Sequence, residues 1–170
     1  MSRIKQRFSE LESQGRKALI PFVTAGDPSP GVTVPLMHEM VHAGADLIEL
    51  GVPFSDPMAD GPVIQKANQR ALEHNVSLAD VLGMVEDFRQ ADKETPILLM
   101  GYLNPIEVMG YETLADRCVS VGVDGLLIVD MPPEEADEFN QLLYQREVDP
   151  VYLLAPTSTE ERMELVSRAA

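Results

Sequence analysis

Leu47-Ile48-Glu49-Leu50-Gly51-Val52-Pro53-Phe54-Ser55-Asp56-Pro57-Met58-Ala59-Asp60-Gly61-Pro62-Val63-Ile64-Gln65 decides how the rest of the chain is read. Leu47 to Val52 is a short, nearly continuous apolar run, the pattern of a strand covered on both faces. A long loop stiffened by Pro53, Pro57 and Pro62 follows, and a pattern of helical period opens at Val63. Strand, elaborate loop and helix together make one βα unit. Glu49 interrupts the apolar run between Ile48 and Leu50, so alternation turns it to the opposite face from both neighbours.

The same unit recurs outward in both directions. Apolar runs at residues 19–24, 97–100, 125–129 and 151–154 read as further strands, and residues 33–42, 63–73, 78–89, 111–119, 134–146 and 160–168 carry helical patterns. This alternation predicts parallel βαβ units, as a (β/α) barrel or a doubly wound sheet. The segments after the strands are the elaborate ones: TAGDPSPG, VPFSDPMADGP, GYLNP, DMPPEE and APTSTEE. In parallel α/β folds the carboxyl ends of the strands carry the site, so these loops are where function is sought. Ile4, Phe8 and Leu11 follow one helix face, which predicts an amphipathic N-terminal helix over about residues 2–14, docked on a single domain spanning residues 1–170. Thr157 with Glu160 and Ser158 with Glu161 offer capping boxes for the last helix. Pro132 and Pro133 followed by Glu134 and Glu135 mark a helix start.

Composition narrows the function classes. The 170 residues hold 13 Lys and Arg against 28 Asp and Glu, a net charge of −15, with no basic block to neutralise phosphates. Nucleic acid and anionic membranes are therefore excluded as partners. The one cysteine, Cys118, admits no internal disulfide and reads as a small buried hydrophobe. With no apolar stretch of membrane or signal length, a cytoplasmic location is expected.

Glu49, at the end of an apolar strand, has two readings. Aimed into a barrel mouth, desolvation would raise its pKa toward the range useful for proton transfer; on an edge it would be an ordinary solvated or backbone-bonded carboxylate. Asp60, just before Gly61 and Pro62, is either a helix cap or a site residue held by a stiff loop. His38-Glu39-Met40-Val41-His42 is a literal H-E-x-x-H, the zinc-protease pattern, but no third ligand stands at the expected spacing. Val34, Met37, Met40 and Val41 form the buried face of that helix with both histidines on its flank, so no metal site is assigned.

The runs Pro21-Phe22-Val23-Thr24-Ala25-Gly26-Asp27-Pro28 and Glu49 to Pro62 resemble the α subunit of tryptophan synthase. Met100-Gly101-Tyr102-Leu103-Asn104-Pro105, Gly122-Val123-Asp124-Gly125, Asp130-Met131-Pro132 and Leu154-Ala155-Pro156-Thr157-Ser158 continue the likeness in order. The resemblance implies a (β/α)8 TIM barrel, here ending after about five βα units, and aldol cleavage of indole-3-glycerol phosphate to indole and glyceraldehyde 3-phosphate. It makes Glu49 the general acid/base and Asp60 the group assisting at the indole nitrogen. Phe22, Met100, Leu127 and Leu153 become pocket walls, with Tyr102 near the acid; Leu153 is equally an ordinary core residue. Ser55, Asp56, Pro57, Asn104, Pro105 and Asp130 match the surface facing a β subunit in an α2β2 tetramer. That β subunit is expected to hold pyridoxal phosphate, and this chain no cofactor. Eight units need roughly 250 residues, and the resemblance places the phosphate grip in units beyond the fifth. The chain alone is therefore expected to be a segment with little or no activity; a half barrel that only binds a partner is the alternative.

Overall fold

The computed structural model describes residues 2–170. Five strands, β1 (Phe22–Thr24), β2 (Ile48–Gly51), β3 (Ile97–Gly101), β4 (Gly125–Ile128) and β5 (Asp149–Val151), form one sheet in the order 1-2-3-4-5. Every neighbouring pair is parallel. The helices are α1 (Arg3–Ser13), α2 (Pro30–His42), α3 (Pro62–Glu73), α4 (Leu78–Phe88), α5 (Leu103–Met109), α6 (Tyr111–Val121), α7 (Asp137–Tyr144) and α8 (Glu160–Ala169), with a 3-10 turn at Pro133–Glu135.

Sequential strand order separates the two folds that the rhythm of strands and helices leaves open, in favour of the barrel that the resemblance implies. A doubly wound sheet reverses direction at a switch point and carries helices on both faces; this sheet never reverses. Its two faces also differ. Ile48, Leu50, Ile97, Leu99 and Leu126 pack with Met37, Val81, Val85, Phe88, Leu114 and Phe139 in the large core between strands and helices. On the other face Leu47, Leu98 and Leu127 form a small separate cluster, joined by Met100, Val129, Val151 and Ile4 of α1. One helix-covered face and one inner face is the arrangement of a barrel wall.

α1 closes the N-terminal side of this wall. Arg3 Nε donates to Asp124 Oδ1 at 2.7 Å, Arg7 Nη2 donates to Asp46 Oδ1 at 2.7 Å, and the Ser2 hydroxyl bonds Asp149. Each acid stands just before or at the start of a strand. Leu11 is buried and Ile4 packs on the inner cluster, but Phe8 is 45% exposed, so the predicted apolar face is narrower than its spacing suggested.

Several boundaries differ from expectation. β1 begins only at Phe22, because Leu19 and Ile20 run exposed along the open edge. β5 lies earlier than the apolar run at 151–154: Asp149 N–H donates to the Asp124 carbonyl at 2.8 Å, and the chain leaves the sheet after Val151. Leu153, read as either core or wall, is 60% exposed. α5 arises where Asn104-Pro105 read as a turn; Pro105 falls in the first helical turn, where a missing N–H costs nothing. The helix expected over 134–146 divides into the 3-10 turn and the shorter α7. Thr159, not Thr157 or Ser158, caps α8, accepting from Arg162 N–H at 3.2 Å. Cys118 is fully buried, and burial pushes its thiol up to about 12.

Candidate functional site

Register assigns the inner face. Phe22 stands opposite Glu49, which stands opposite Leu98; one step toward the carboxyl ends, Thr24, Gly51, Met100 and Leu127 lie in a row. Ile48 and Leu50 are completely buried in the helix-side core, so Glu49 between them projects inward, as alternation requires. Phe22, Met100 and Leu127, the expected walls, thus share one face with the expected acid. Phe22 lies across Gly51: a Cβ at position 51 would sit 2.6 Å from Phe22 Cζ, so this glycine makes room for the ring.

Glu49 is half-buried, and its carboxylate has no hydrogen-bond or ionic partner among the described residues. Burial therefore acts unopposed and raises its pKa above the ordinary glutamate value. A carboxyl so placed holds its proton more tightly than a solvated glutamate and can still release it, the two capacities an acid/base group needs.

Asp60 reaches the same face through Tyr102. Tyr102 follows Met100 by two residues in extended backbone, which keeps it on the inner side of β3. Its hydroxyl donates to Asp60 Oδ2 at 3.2 Å and accepts from Ala59 N–H at 3.0 Å, while its ring stacks on Phe54 with centroids 5.2 Å apart. Burial, with the Asp60 carboxylate beside it, holds the phenol above its usual pKa, so it remains a donor. One side chain just past the end of β3 therefore pins two points of the β2–α3 loop. The capping role considered for Asp60 is not observed: Gly61 is the N-cap residue of α3 and no side chain caps it.

The remaining sequence-selected residues lie at the rim. Ser55, Asp56 and Asn104 are exposed, Pro57 and Pro105 partly so. Asp130 is tied inward, its Oδ1 accepting from Leu103 N–H at 2.7 Å and so capping α5 from the neighbouring loop. Leu153 and Asp130 both line an open groove of about 250 Å³ beyond β4 and β5. In the H-E-x-x-H stretch His38 stacks on Phe88 at 4.7 Å and His42 is exposed beside Glu39. Among the described residues no three His, Cys, Asp or Glu side chains gather closely enough to hold a metal ion.

Two positions in the site carried no reading in the sequence. Gly51 is one, legible only as a small residue two places after an inward acid. Thr24 is the other; its signal was its place two residues after Phe22, hence on the same face.

The profile of a family described as tryptophan synthase alpha chain matches residues 8–170. The tryptophan synthase alpha chain of Thioalkalivibrio sulfidiphilus (strain HL-EbGR7) is 65% identical over 170 residues, covering 100% of this chain and 64% of the relative. That of Nitrosococcus oceani is 62% identical over 167 residues, covering 98% and 62%. The crystal structure of tryptophan synthase subunit alpha from Legionella pneumophila str. Paris superposes with a TM-score of 0.97 at 50% identity, over 100% of this chain and 65% of that one. A structure of the tryptophan synthase α2β2 complex from Pyrococcus furiosus gives a TM-score of 0.85 at 37% identity, over 90% and 64%. The chain thus spans less than two thirds of the length of the relatives it matches.

Proposed function

Because the chain belongs to the tryptophan synthase alpha chain family, we propose that its inner sheet face is the acid/base half of a site that cleaves indole-3-glycerol phosphate to indole and glyceraldehyde 3-phosphate. The observation that carries this reading is Glu49: an inward carboxyl, unpartnered, with its pKa raised by burial, opposite the aromatic ring of Phe22.

The reaction is a retro-aldol cleavage. A proton reaches C3 of the indole ring, giving a cationic indoleninium, and the hydroxyl on the adjacent carbon loses its proton as the bond to C3 breaks. The electron pair of that bond returns to the ring and restores indole, while the hydroxyl carbon becomes the aldehyde of glyceraldehyde 3-phosphate. Glu49 serves both steps in turn, donating as the acid and accepting as the carboxylate. Asp60, held by Tyr102, faces the positive charge that develops at the ring nitrogen. Phe22, Met100 and Leu127 supply the apolar walls that exclude water from the ring. This division gives two carboxylates different tasks by environment, one half-buried and unpartnered, one hydrogen-bonded at the rim.

Anchoring of the substrate phosphate falls to βα units beyond the five described, which is why the 170 residues by themselves are proposed to turn over slowly or not at all. The same reading assigns the rim to a β chain carrying pyridoxal phosphate. Ser55, Asp56, Pro57, Asn104 and Pro105 would meet that chain, with Met58 and Val108, 78% and 84% exposed, as apolar contacts beside them. Asp130 would act there by fixing the start of α5.

The test joins these 170 residues to the C-terminal segment of the Thioalkalivibrio sulfidiphilus relative and measures cleavage of indole-3-glycerol phosphate. Activity in the joined chain, lost by at least about 100-fold in Glu49→Gln, is expected. Equal activity in the parent and Glu49→Gln would overturn the reading.

A further inference from the structure

Two polar side chains on the inner face lack a partner among the described residues, and the proposed mechanism uses only Glu49. The other is Thr24, 5% exposed, whose Oγ1 is buried without a hydrogen bond. A buried hydroxyl left unsatisfied is disfavoured by folding alone, so a fold with no further use for it would gain from losing it. Val23 packs against the helix-side core, and Phe22 and Thr24 on either side of it therefore project to the inner face. Thr24 stands opposite Gly51, which offers no side chain. It lies two residues closer to the carboxyl ends than the level of Glu49, about 7 Å along the strand.

We infer that Thr24 is a positioning residue whose hydroxyl hydrogen-bonds the second hydroxyl of the substrate's glycerol chain. The inference rests on the function proposed above. In that reading the indole N–H and the charge on its nitrogen belong to Asp60, and the hydroxyl beside the breaking bond belongs to Glu49. The phosphate is held elsewhere. The hydroxyl between the cleaved carbon and the phosphate is the one polar group left without a protein partner, and it both donates and accepts. A threonine hydroxyl has the same capacity and requires no change of charge to meet it. Its place toward the strand ends, past Glu49, is where a chain leading from the ring to the phosphate would run.

The experiment compares Thr24→Val and Thr24→Ser with the parent, in the joined chain assembled with a tryptophan synthase β chain. Thr24→Val is expected to raise KM for indole-3-glycerol phosphate about 5- to 30-fold, the loss of one neutral hydrogen bond with its partner left unmet. Thr24→Ser should stay within about threefold of the parent. Affinity for indole, which has no hydroxyl, should be unchanged in both. The melting temperature of Thr24→Val should equal or exceed the parent's, because the replaced hydroxyl has no partner in the free protein. An unchanged KM in Thr24→Val overturns the inference, as does an equal loss of indole affinity. A lowered melting temperature in Thr24→Val that accompanies the activity loss makes Thr24 structural and overturns it too. If Thr24→Val does not fold, Thr24→Ala is read by the same criteria. A parent without cleavage activity overturns the function itself, and is told apart because parent and variants are then equally silent.

Discussion

At Glu49 the requirements of stability and of chemistry oppose each other. Burial raises its pKa, so the folded chain binds the proton more tightly than the unfolded chain does. Below the unfolded value, about 4.3, both states are protonated and the group has no linked effect. As pH rises through the raised folded value, the folded state is penalised for holding a charge without a partner. Glu49→Gln is therefore expected to melt higher than the parent by a degree or more at pH 7.5 and alike at pH 4, with the gap opening between; equal melting points throughout would show that the carboxylate is solvated. Thr24 follows the same logic with an uncharged group, and Tyr102 shows the contrast, since its hydroxyl is fully engaged in holding Ala59 and Asp60. The unpartnered groups are those a ligand would meet, and the partnered one builds the frame around them.

Among the elements, α1 has the most clearly defined task. It is held to the strand starts by ion pairs, and Ile4 extends the inner cluster beneath Glu49. Asp46, 1% exposed, accepts from Leu19 N–H at 2.8 Å as well as from Arg7. Burial works to raise its pKa, but the Leu19 N–H and the Arg7 guanidinium outweigh it and the pKa is lowered. Removing this acid strips a part-buried N–H of its acceptor and leaves the Arg7 guanidinium, among the described residues, with only Glu10, at 3.3 Å. Asp46→Ala should cost about 1–3 kcal/mol in urea unfolding at pH 7. A lowered pKa contributes stability that is complete above the unfolded value, about 3.9, and is lost as pH falls through the folded one. The difference between Asp46→Ala and the parent should accordingly narrow below about pH 4. Asp124 repeats the device at β4, bonding Arg3, Arg89 Nη2 at 2.9 Å and Ile97 N–H at 2.8 Å. Arg89 also donates to the carbonyls of Gly122 and Thr95, so a buried guanidinium joins the end of α4 to the starts of β3 and β4.

Over the whole molecule, the sheet ends in two edge strands, β1 and β5, each paired on one side only, with Leu19 56%, Ile20 41%, Leu153 60% and Leu154 45% exposed beside them. Apolar open edges promote association between chains, and the net charge of −15 opposes it. Concentration-dependent self-association at high salt, where that repulsion is screened, is expected by light scattering. Leu19→Glu with Leu154→Glu should abolish it while leaving the melting temperature within about 2 °C, since neither side chain is in the core. No helix among the described residues is long and apolar enough to cross a membrane. Much of this architecture was legible in the amino-acid order: five apolar runs with helical patterns between them, the turn of Glu49 to the face opposite Ile48 and Leu50, and the stiff loop leading to Asp60. Local patterning determines these because period and proline act over a few residues. The barrel was legible only through the resemblance and not through periodicity, while the anchoring of Asp60 by Tyr102, the burial of Thr24 without a partner and the clasp of α1 on Asp46 and Asp124 were decided only by tertiary structure. Each depends on which strands become neighbours, and on contacts between residues dozens of positions apart that no local pattern encodes.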